Sequence, residues 1–217
     1  DWLPFRDTFL DELIRNEGLA ENEKLPSCPL CPADISTLGE FRCIDCTGGR
    51  FLCAGCIVSA HEQLPLHRVQ KWTGKFFEPS PLHSLGLRIQ LGHDGERCPV
   101  PSQRISPLVV IDVTGVHEVS IAYCDCAHTP AGQHVVQLLR ASWWPATVHR
   151  PSTVTTFATL KLFHALSLQG KVNAYDFYSG LMRITDGLGT RRTKYRYKEF
   201  IRSMRCFRNI RAAKRAG

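Results

Sequence analysis

The sequence predicts an α+β protein with an N-terminal helix, a small module held together by cysteine and histidine side chains, a β-hairpin-rich middle and a helical C-terminal region. Three observations lead to this class. Eight cysteines and histidines stand at metal-ligand spacing near the N-terminus. Alternating apolar runs occupy the middle of the chain, and apolar residues recur at helical spacing near both ends. We therefore divide the 217 residues into segments 1–25, 26–72, 73–150 and 151–217.

Segment 1–25 is predicted to be an amphipathic helix followed by a linker. The apolar residues that recur at helical spacing are Phe5, Phe9, Leu10, Leu13 and Ile14. Gly18 is a suitable stop signal, because glycine commonly follows the last helical turn. We expect the helix to pack on another part of the same protein; binding to a partner protein is the alternative.

Segment 26–72 carries the most specific signal in the chain, three C-x2-C pairs followed by two histidines. The eight residues are Cys28, Cys31, Cys43, Cys46, Cys53, Cys56, His61 and His67. Four such ligands complete the tetrahedral shell of one structural zinc ion, so the octet predicts two ions. A disulfide framework is the alternative, but it has no use for the histidines. No signal peptide or membrane-length apolar run places the chain in an oxidising compartment, so we expect a reducing, intracellular one.

The octet can be paired in two ways. In a cross-brace, Cys28, Cys31, Cys53 and Cys56 hold one ion, and Cys43, Cys46, His61 and His67 hold the other. In the sequential alternative, the first four cysteines share an ion. The octet resembles the B-box and ZZ zinc modules, which use cross-bracing, and we favour that pairing. Either way the segment has too little apolar surface to fold alone, so metal removal is expected to unfold it.

Segment 73–150 is predicted to be rich in β-structure. Leu87, Ile89 and Leu91 alternate as in a half-buried strand. Two β-rich runs, 108–113 and 116–124, are separated by Thr114–Gly115, and a two-residue break that ends in glycine indicates a hairpin.

A third metal site is predicted in the same segment, from Cys98, Cys124, Cys126 and His93. Cys124 and Cys126 are two residues apart and point to the same face of a strand. His128 competes with His93 as the fourth ligand, whereas His117 is in phase with the buried strand residues. These cysteines can alternatively be small buried hydrophobic residues. We therefore expect two zinc ions, or three if this site is real.

Segment 151–217 is predicted to be helical over 153–168, 173–185 and 195–213. Ser152 and Asn173 are suitable N-cap residues, and Gly170 marks a boundary. Cys206, beside Phe207, is interpreted as part of the core.

The positive charge is concentrated at the end of the chain. Residues 191–217 hold eleven Lys or Arg and one acid, a net charge of +10, whereas the other 190 residues hold 16 basic and 19 acidic groups, a net charge of −3. A basic helix attracts phosphate backbones, and we expect it to bind DNA rather than a membrane surface. The predicted contact residues are Arg191, Arg192, Lys194, Arg202, Arg205, Arg208, Lys214 and Arg215. A solvated helix face or a nuclear-import signal is the alternative.

The order of motifs resembles the CxC-type cysteine cluster associated with KDZ (Kyakuja–Dileera–Zisupton) transposases. The motifs are Trp2…Arg6-Asp-x-Phe9-Leu-Asp-Glu-Leu-Ile, Arg42-Cys-Ile-Asp-Cys…Leu52-Cys-x-x-Cys56…His61…Pro65-Leu-His67-Arg, Leu85-Gly-Leu-Arg-Ile-Gln-Leu-Gly-His93, Val110-Ile-Asp-x-x-Gly-Val-His117, Cys124-x-Cys126, Gln137-Leu-Leu-Arg-x-x-Trp143-Trp-Pro-Ala-Thr147, Pro151-x-Thr-x-x-Thr-Phe157, Ala174-Tyr-x-Phe-Tyr178 and Tyr197-x-Glu-Phe200. The resemblance implies a nuclear DNA-transposon protein in which a catalytic domain with an RNase H-like fold lies downstream of the cluster.

We expect this piece of the transposase to be non-catalytic. Asp112 and Asp125 are better explained as strand and loop residues than as a two-metal catalytic pair. A zinc hydrolase would need an open coordination position, and the octet is closed by its ligand count. Two candidate functions remain. The first is a zinc-stabilised accessory region that binds DNA through its basic tail. The alternative is a zinc-stabilised module that binds a protein partner or a second copy of itself.

Overall fold

In the computed structural model of the protein, the described residues are 1–19, 24–32, 37–93, 96, 98–126, 134–187, 189 and 193–217. They form six α-helices and two β-sheets, which are divided between two compact units, Asp1–Gly86 and Leu87–Gly217. The predicted α+β class is confirmed. The finer division into four segments stays a prediction. Among the described residues, no helix has the length and apolar character needed to span a membrane.

The helices are α1 (Arg6–Glu17), α2 (Ala54–Ala60), α3 (His134–Arg140), α4 (Phe157–Gln169), α5 (Ala174–Thr185) and α6 (Tyr197–Ala216). The strands are β1 (Phe41–Cys43), β2 (Val69–Trp72), β3 (Phe77–Pro79), β4 (Ile89–Gln90), β5 (Ser106–Asp112), β6 (Gly115–Ala122), β7 (Trp143–Pro145) and β8 (Thr153–Thr156).

The N-terminal helix α1 ends at Gly18, as the sequence predicts. Its apolar face is exposed, however, with Leu13 65% and Ile14 58% accessible. The expectation that this face packs within the protein is therefore wrong for the described residues. The end of the helix is held by Arg42, whose guanidinium donates to the carbonyl oxygens of Asn16 at 2.7 Å and Gly18 at 3.4 Å. Backbone carbonyls at a helix C-terminus have no partner within the helix, and a cation satisfies them well.

The first unit has a small antiparallel sheet in the order β1-β2-β3. Where the structure describes this unit, its buried apolar residues other than cysteine are Phe41, Leu52, Ile57, Val69 and Leu82. Five such side chains are few for a unit of this length, because burial of apolar surface is the main force that offsets the entropy of folding. We therefore expect this unit to need additional bonds to hold its loops.

The second unit has a five-stranded sheet in the order β4-β6-β5-β8-β7. The central pair, β5 and β6, forms the predicted antiparallel hairpin, and β8 adds parallel to β5. The turn is at Val113–Thr114, one residue earlier than predicted, and Gly115 pairs with Asp112. The cause is the Asp112 carboxylate, which accepts from Thr114 N at 3.1 Å and Thr114 Oγ1 at 2.8 Å and so closes a local turn.

Helices α4, α5 and α6 pack with the sheet around one hydrophobic core. The core residues are Val109, Ile111, Val116, Leu160, Phe163, Tyr178, Leu181, Phe200, Met204 and Phe207. They come from two strands and all three helices, so this core holds the C-terminal region together without a metal ligand among its members. On α6 the buried face includes Phe200, Met204 and Phe207.

Helix α4 begins four residues later than its predicted start. Residues Thr153–Thr156 are strand β8, because β-branched side chains favour a pleated, buried surface and every residue of this strand is buried. Thr156, not Ser152, is the N-cap, and its side chain accepts from Thr159 N. The predicted cap Asn173 does cap α5 by accepting from Asp176 N at 2.8 Å.

Candidate metal centres and the basic helix

The structure brings twelve cysteine and histidine side chains together in three groups of four. The groups are Cys28, Cys31, Cys53 and Cys56; Cys43, Cys46, His61 and His67; and His93, Cys98, Cys124 and Cys126. In each group, one ligand atom from each residue lies within 4.8 Å of the others. All ten cysteines of the chain are among the described residues, and all are free. These three groups can hold metal ions.

The first two groups interleave along the chain as in a cross-brace, not as in the sequential alternative. In the all-cysteine group, Cys31 Sγ lies 3.6 Å from Cys53 Sγ and 3.7 Å from Cys56 Sγ. Sulfurs that bind one tetrahedral zinc ion are about 3.8 Å apart, given Zn–S bonds of about 2.3 Å. Cys53 is the N-cap of α2 and Cys56 lies in its first turn, so the helix fixes one C-x2-C pair.

The mixed group is assembled from the end of β1, the end of α2 and the start of β2. Cys46 Sγ lies 3.5 Å from His61 Nε2 and 3.4 Å from His67 Nδ1. Tetrahedral zinc geometry requires about 3.5 Å between a sulfur and a nitrogen ligand. The other ring nitrogen of His61, Nδ1, lies 2.8 Å from the carbonyl oxygen of Ile57. Donation to that oxygen leaves Nε2 with its lone pair directed at the group.

An ion pair that the sequence analysis missed ties the two ends of the mixed group together. Asp45 lies between Cys43 and Cys46, and Arg68 follows His67. The Arg68 guanidinium is 2.6 Å from the Asp45 carboxylate, which also accepts from Arg68 N at 2.6 Å. Burial alone would raise the pKa of Asp45, but the hydrogen bonds and charge of Arg68 outweigh it and hold the pKa below its usual range. Asp45 and Arg68 each stand next to a ligand residue in the sequence, and this position is the signal that could have pointed to the ion pair.

The third group lies where β4 and β6 end. Cys98 Sγ is 3.8 Å from Cys126 Sγ, and His93 Nε2 is 3.3 Å from the sulfurs of both Cys124 and Cys126. Among the described residues, His93 is the histidine that completes this group; His128, its competitor, lies outside them. His117 is in β6, where its Nε2 is 2.9 Å from Thr114 Oγ1.

Two glutamines that the sequence analysis did not identify hold the backbone of the third group. Gln137 accepts from Cys124 N at 2.9 Å and donates to the carbonyl oxygen of Cys124 at 3.2 Å. Gln90 accepts from Cys98 N at 3.0 Å. Such partners orient ligands before a metal binds. No spacing rule points to a glutamine 13 residues away along the chain, so only the structure reveals this role.

The thiol acidities in these groups indicate what a bound cation would change. Burial, followed by the neighbouring thiols, raises the pKa of Cys98 to about 11. Burial also raises the pKa of Cys43 to about 11, and contacts with the thiols of Cys53 and Cys31 raise that of Cys56 to about 12. Cys28 differs: backbone hydrogen bonds outweigh burial and lower its pKa to about 6. Clustered thiolates repel one another, and a divalent ion is the group that stabilises them all in the charged form.

Gly92 is the residue that permits the third group to form, and its replacement tests this. Its φ of +87° is left-handed, and an added Cβ would lie 2.8 Å from Cys124 Cβ. We expect Gly92→Ala to destabilise the site by at least about 1 kcal/mol and to lower the metal content by one ion. The matched control is Gly74→Ala, which has a similar φ of +97° but open space around its Cβ. Equal metal content in both variants, measured by elemental analysis, would contradict this expectation.

The basic residues predicted to bind DNA differ in their surroundings. Arg202, Arg205, Lys214 and Arg215 are exposed on α6, opposite to or beside its buried face. Arg208 is exposed but donates to Ser167 Oγ at 2.7 Å. Lys194 pairs with Glu118 at 2.9 Å. Arg191 and Arg192 lie outside the described residues.

Three arginines on α6, Arg208, Arg211 and Arg215, face the end of α4 near His164. Burial lowers the pKa of His164, and the charges of Arg211, Arg208 and Arg215 lower it further. This histidine therefore stays neutral near pH 7, and the three arginines form a locally positive surface. Cys206, interpreted from the sequence as a core residue, is exposed. The reason is its position on the helix, since the buried face passes through Ser203, Met204 and Phe207.

Comparison with protein families identifies a match over part of the chain. A family described as "CxC2 like cysteine cluster associated with KDZ transposases" matches residues 82–189, which include the third group but neither the octet nor α6. Searches of curated proteins and of solved structures returned no match for the chain. The resemblance drawn from the motif order is therefore confirmed over that range: residues 82–189 carry a CxC2-like cysteine cluster of the family associated with KDZ transposases.

Proposed function

We propose that the chain is a zinc-binding, non-catalytic accessory region of a KDZ-type transposase that contacts the phosphate backbone of DNA. In this proposal the three Cys/His groups bind structural zinc. Cysteine and histidine are the ligands that tetrahedral zinc prefers, and the ligand separations fit its geometry. Four protein ligands leave no open position for a substrate, which supports a structural role. The region would act in the nucleus, where transposon DNA is found.

The observation that carries the DNA-binding proposal is that α6 packs into the core along one face and exposes basic residues on the other. Phe200, Met204 and Phe207 are buried in the core, so the helix is held along its apolar side. Arg202 and Arg205 face solvent, and within the described residues no acidic side chain pairs with either. A rigid row of unpaired cations opposite an anchored face is suited to phosphate contacts, which displace counterions from DNA.

Charge reversal on α6 tests this function. We expect the metal-loaded protein to bind duplex DNA with an affinity that falls steeply as salt rises. Arg202→Glu with Arg205→Glu should weaken binding on all sequences alike and make the slope of log affinity against log salt shallower by about 1 for each lost contact. Fluorescence anisotropy at several salt concentrations measures both quantities.

The matched control is Arg88→Glu with Arg104→Glu, because these exposed arginines lie in the same unit but not on α6. This pair changes the net charge equally. A loss of affinity as large in the control as in the α6 variant would show that only total charge matters. A flat salt dependence, or no binding by metal-loaded protein, would contradict the proposal itself.

A second function, capture of a protein partner or a second copy, is favoured by the exposed face of α1. Phe5, Phe9, Leu10, Leu13 and Ile14 are each more than half accessible. Contiguous exposed apolar surface of this kind is typical of protein contact sites. Pull-down and sedimentation experiments with and without chelator distinguish the two functions. Partner binding that is lost with metal, and is unaffected by the α6 charge reversals, would support this second function.

A further inference from the structure

Tyrosines and basic residues alternate in the five residues that lead into and begin α6, Lys194-Tyr195-Arg196-Tyr197-Lys198. Tyr195 is 55% accessible, and Tyr175, on α5, is 59% accessible. The ring of Tyr197 lies between them, 5.9 Å from that of Tyr175 and 6.3 Å from that of Tyr195. Tyr197 is half-buried against the core, and with the two exposed rings it forms an aromatic cluster that we call the tyrosine platform (Tyr175, Tyr195 and Tyr197).

A buried tyrosine, Tyr178, packs against two rings of the platform and holds them in place. Tyr178 is fully buried, and its hydroxyl accepts from Arg196 N at 2.7 Å. Its ring is perpendicular to that of Tyr195, with centroids 5.4 Å apart, and 5.8 Å from that of Tyr197. Edge-to-face packing of this kind holds aromatic rings in one orientation. Tyr195 is therefore presented to solvent by a rigid support and not by a free side chain.

The charges around the platform favour an anionic ligand. Lys198 is exposed, and the half-buried Arg196 donates from Nη1 to the carbonyl oxygen of Tyr195 at 3.4 Å. Lys194 pairs with Glu118, which neutralises part of its charge. Two acids are near the rings, Asp176 beside Tyr175 and Glu199 beside Lys198, and the Asp176 carboxylate accepts a hydrogen bond from Asn173 Nδ2 at 2.6 Å. Across the segment and α6 as a whole, positive charge dominates.

We infer that the tyrosine platform binds unpaired bases of single-stranded DNA by stacking, while the adjacent basic residues bind its phosphates. Exposed aromatic rings beside cations are the combination used for single strands, because every base has a π-face and every nucleotide a phosphate. Duplex DNA offers no free base faces, so α6 alone would bind it. This inference rests on the proposed DNA-binding function and adds to it a preference for opened or unpaired strands.

The test compares binding of oligothymidine with binding of a duplex of the same length to the metal-loaded full chain. We expect Tyr195→Ala to weaken single-strand binding about tenfold and to change duplex binding less than twofold, with an unaltered salt slope for both. Tyr195→Phe keeps the ring and should bind like the unmodified protein. Tyr175→Ala provides a second variant in case Tyr195→Ala unfolds, and thermal unfolding reports on the fold of each. Phe76→Ala, at an exposed aromatic residue of the other unit, is the matched control.

The possible results distinguish this inference from the proposed DNA-binding function on which it rests. Equal single-strand affinity for Tyr195→Ala, Tyr175→Ala and the unmodified protein would overturn the platform, even if duplex binding remained steeply dependent on salt. Equal weakening on single strands and duplexes would also overturn it, because stacking on free bases requires a difference. Absence of binding to either DNA would contradict the proposed function as well.

Discussion

Metal removal by a strong chelator is expected to unfold the unit Asp1–Gly86 while the core of Leu87–Gly217 stays folded. The described residues of the first unit bury only five apolar side chains other than cysteine, yet this unit holds two of the three metal groups. Structural zinc contributes about 10–16 kcal/mol in small zinc fingers, and a whole domain is stable by only about 5–15 kcal/mol. The free energy lost with the ions therefore exceeds the stability that the remaining contacts of this unit can supply.

The second unit should respond differently, because its core contains no metal ligand. The core residues lie on β5, β6 and helices α4 to α6, whereas the third group is at the sheet end formed by β4 and β6. Hydrogen exchange measured by mass spectrometry on the full chain, with and without chelator, distinguishes the units. Exchange should become fast throughout β1 to β3 and near His93, Cys98 and Cys124, but stay slow in β5. Protection of β1 to β3 after complete metal removal would be inconsistent with a metal-dependent fold.

The C-x2-C pairs of the octet could be recognised because their spacing is a local signal, whereas the third group offers only the weaker Cys124-x-Cys126 spacing. A pair of thiols two residues apart lies on one turn, so the sequence itself indicates which cysteines act together. His93, five residues before Cys98 in the sequence, lies in the third group, whereas its competitor His128 is outside the described residues. The roles of Gln90 and Gln137 could not be predicted, because each acts through a hydrogen bond to a residue that only the folded chain brings near.

The fold was predictable where the sequence periodicity was strong. It was not predictable where tertiary contacts determine which element a segment forms or what covers it. The β5–β6 hairpin and the cap at Asn173 follow from alternation and from a polar side chain before a helix. Thr153–Thr156 was assigned to α4 because it adjoins a helical pattern, but pairing with β5 makes it a strand. The exposure of α1 was also missed, since an amphipathic pattern shows that a helix has an apolar face without showing what covers it.

Replacing single cysteines should reveal the interdependence of the three groups. Three Cys→Ser variants are matched in chemistry and differ only in location: Cys43 in the mixed group, Cys98 in the third group and Cys206, which belongs to none. With three groups available, we expect Cys206→Ser to retain every ion and Cys98→Ser to lose one. Cys43→Ser should lose two, because Cys43 lies in the chain between the two C-x2-C pairs of the all-cysteine group.

The physical reason is that a cross-brace makes each site a part of the other's framework. Loss of the ion at Cys43 releases β1 and His67, and with them the loops that hold Cys28–Cys31 apart from Cys53–Cys56. Elemental analysis gives the stoichiometry, and hydrogen exchange at β1 reports the accompanying loss of structure. Loss of a single ion from Cys43→Ser, with β1 still protected, would mean that the two groups fold independently. Loss of an ion from Cys206→Ser would mean that the substitution acts through general destabilisation and not through ligation.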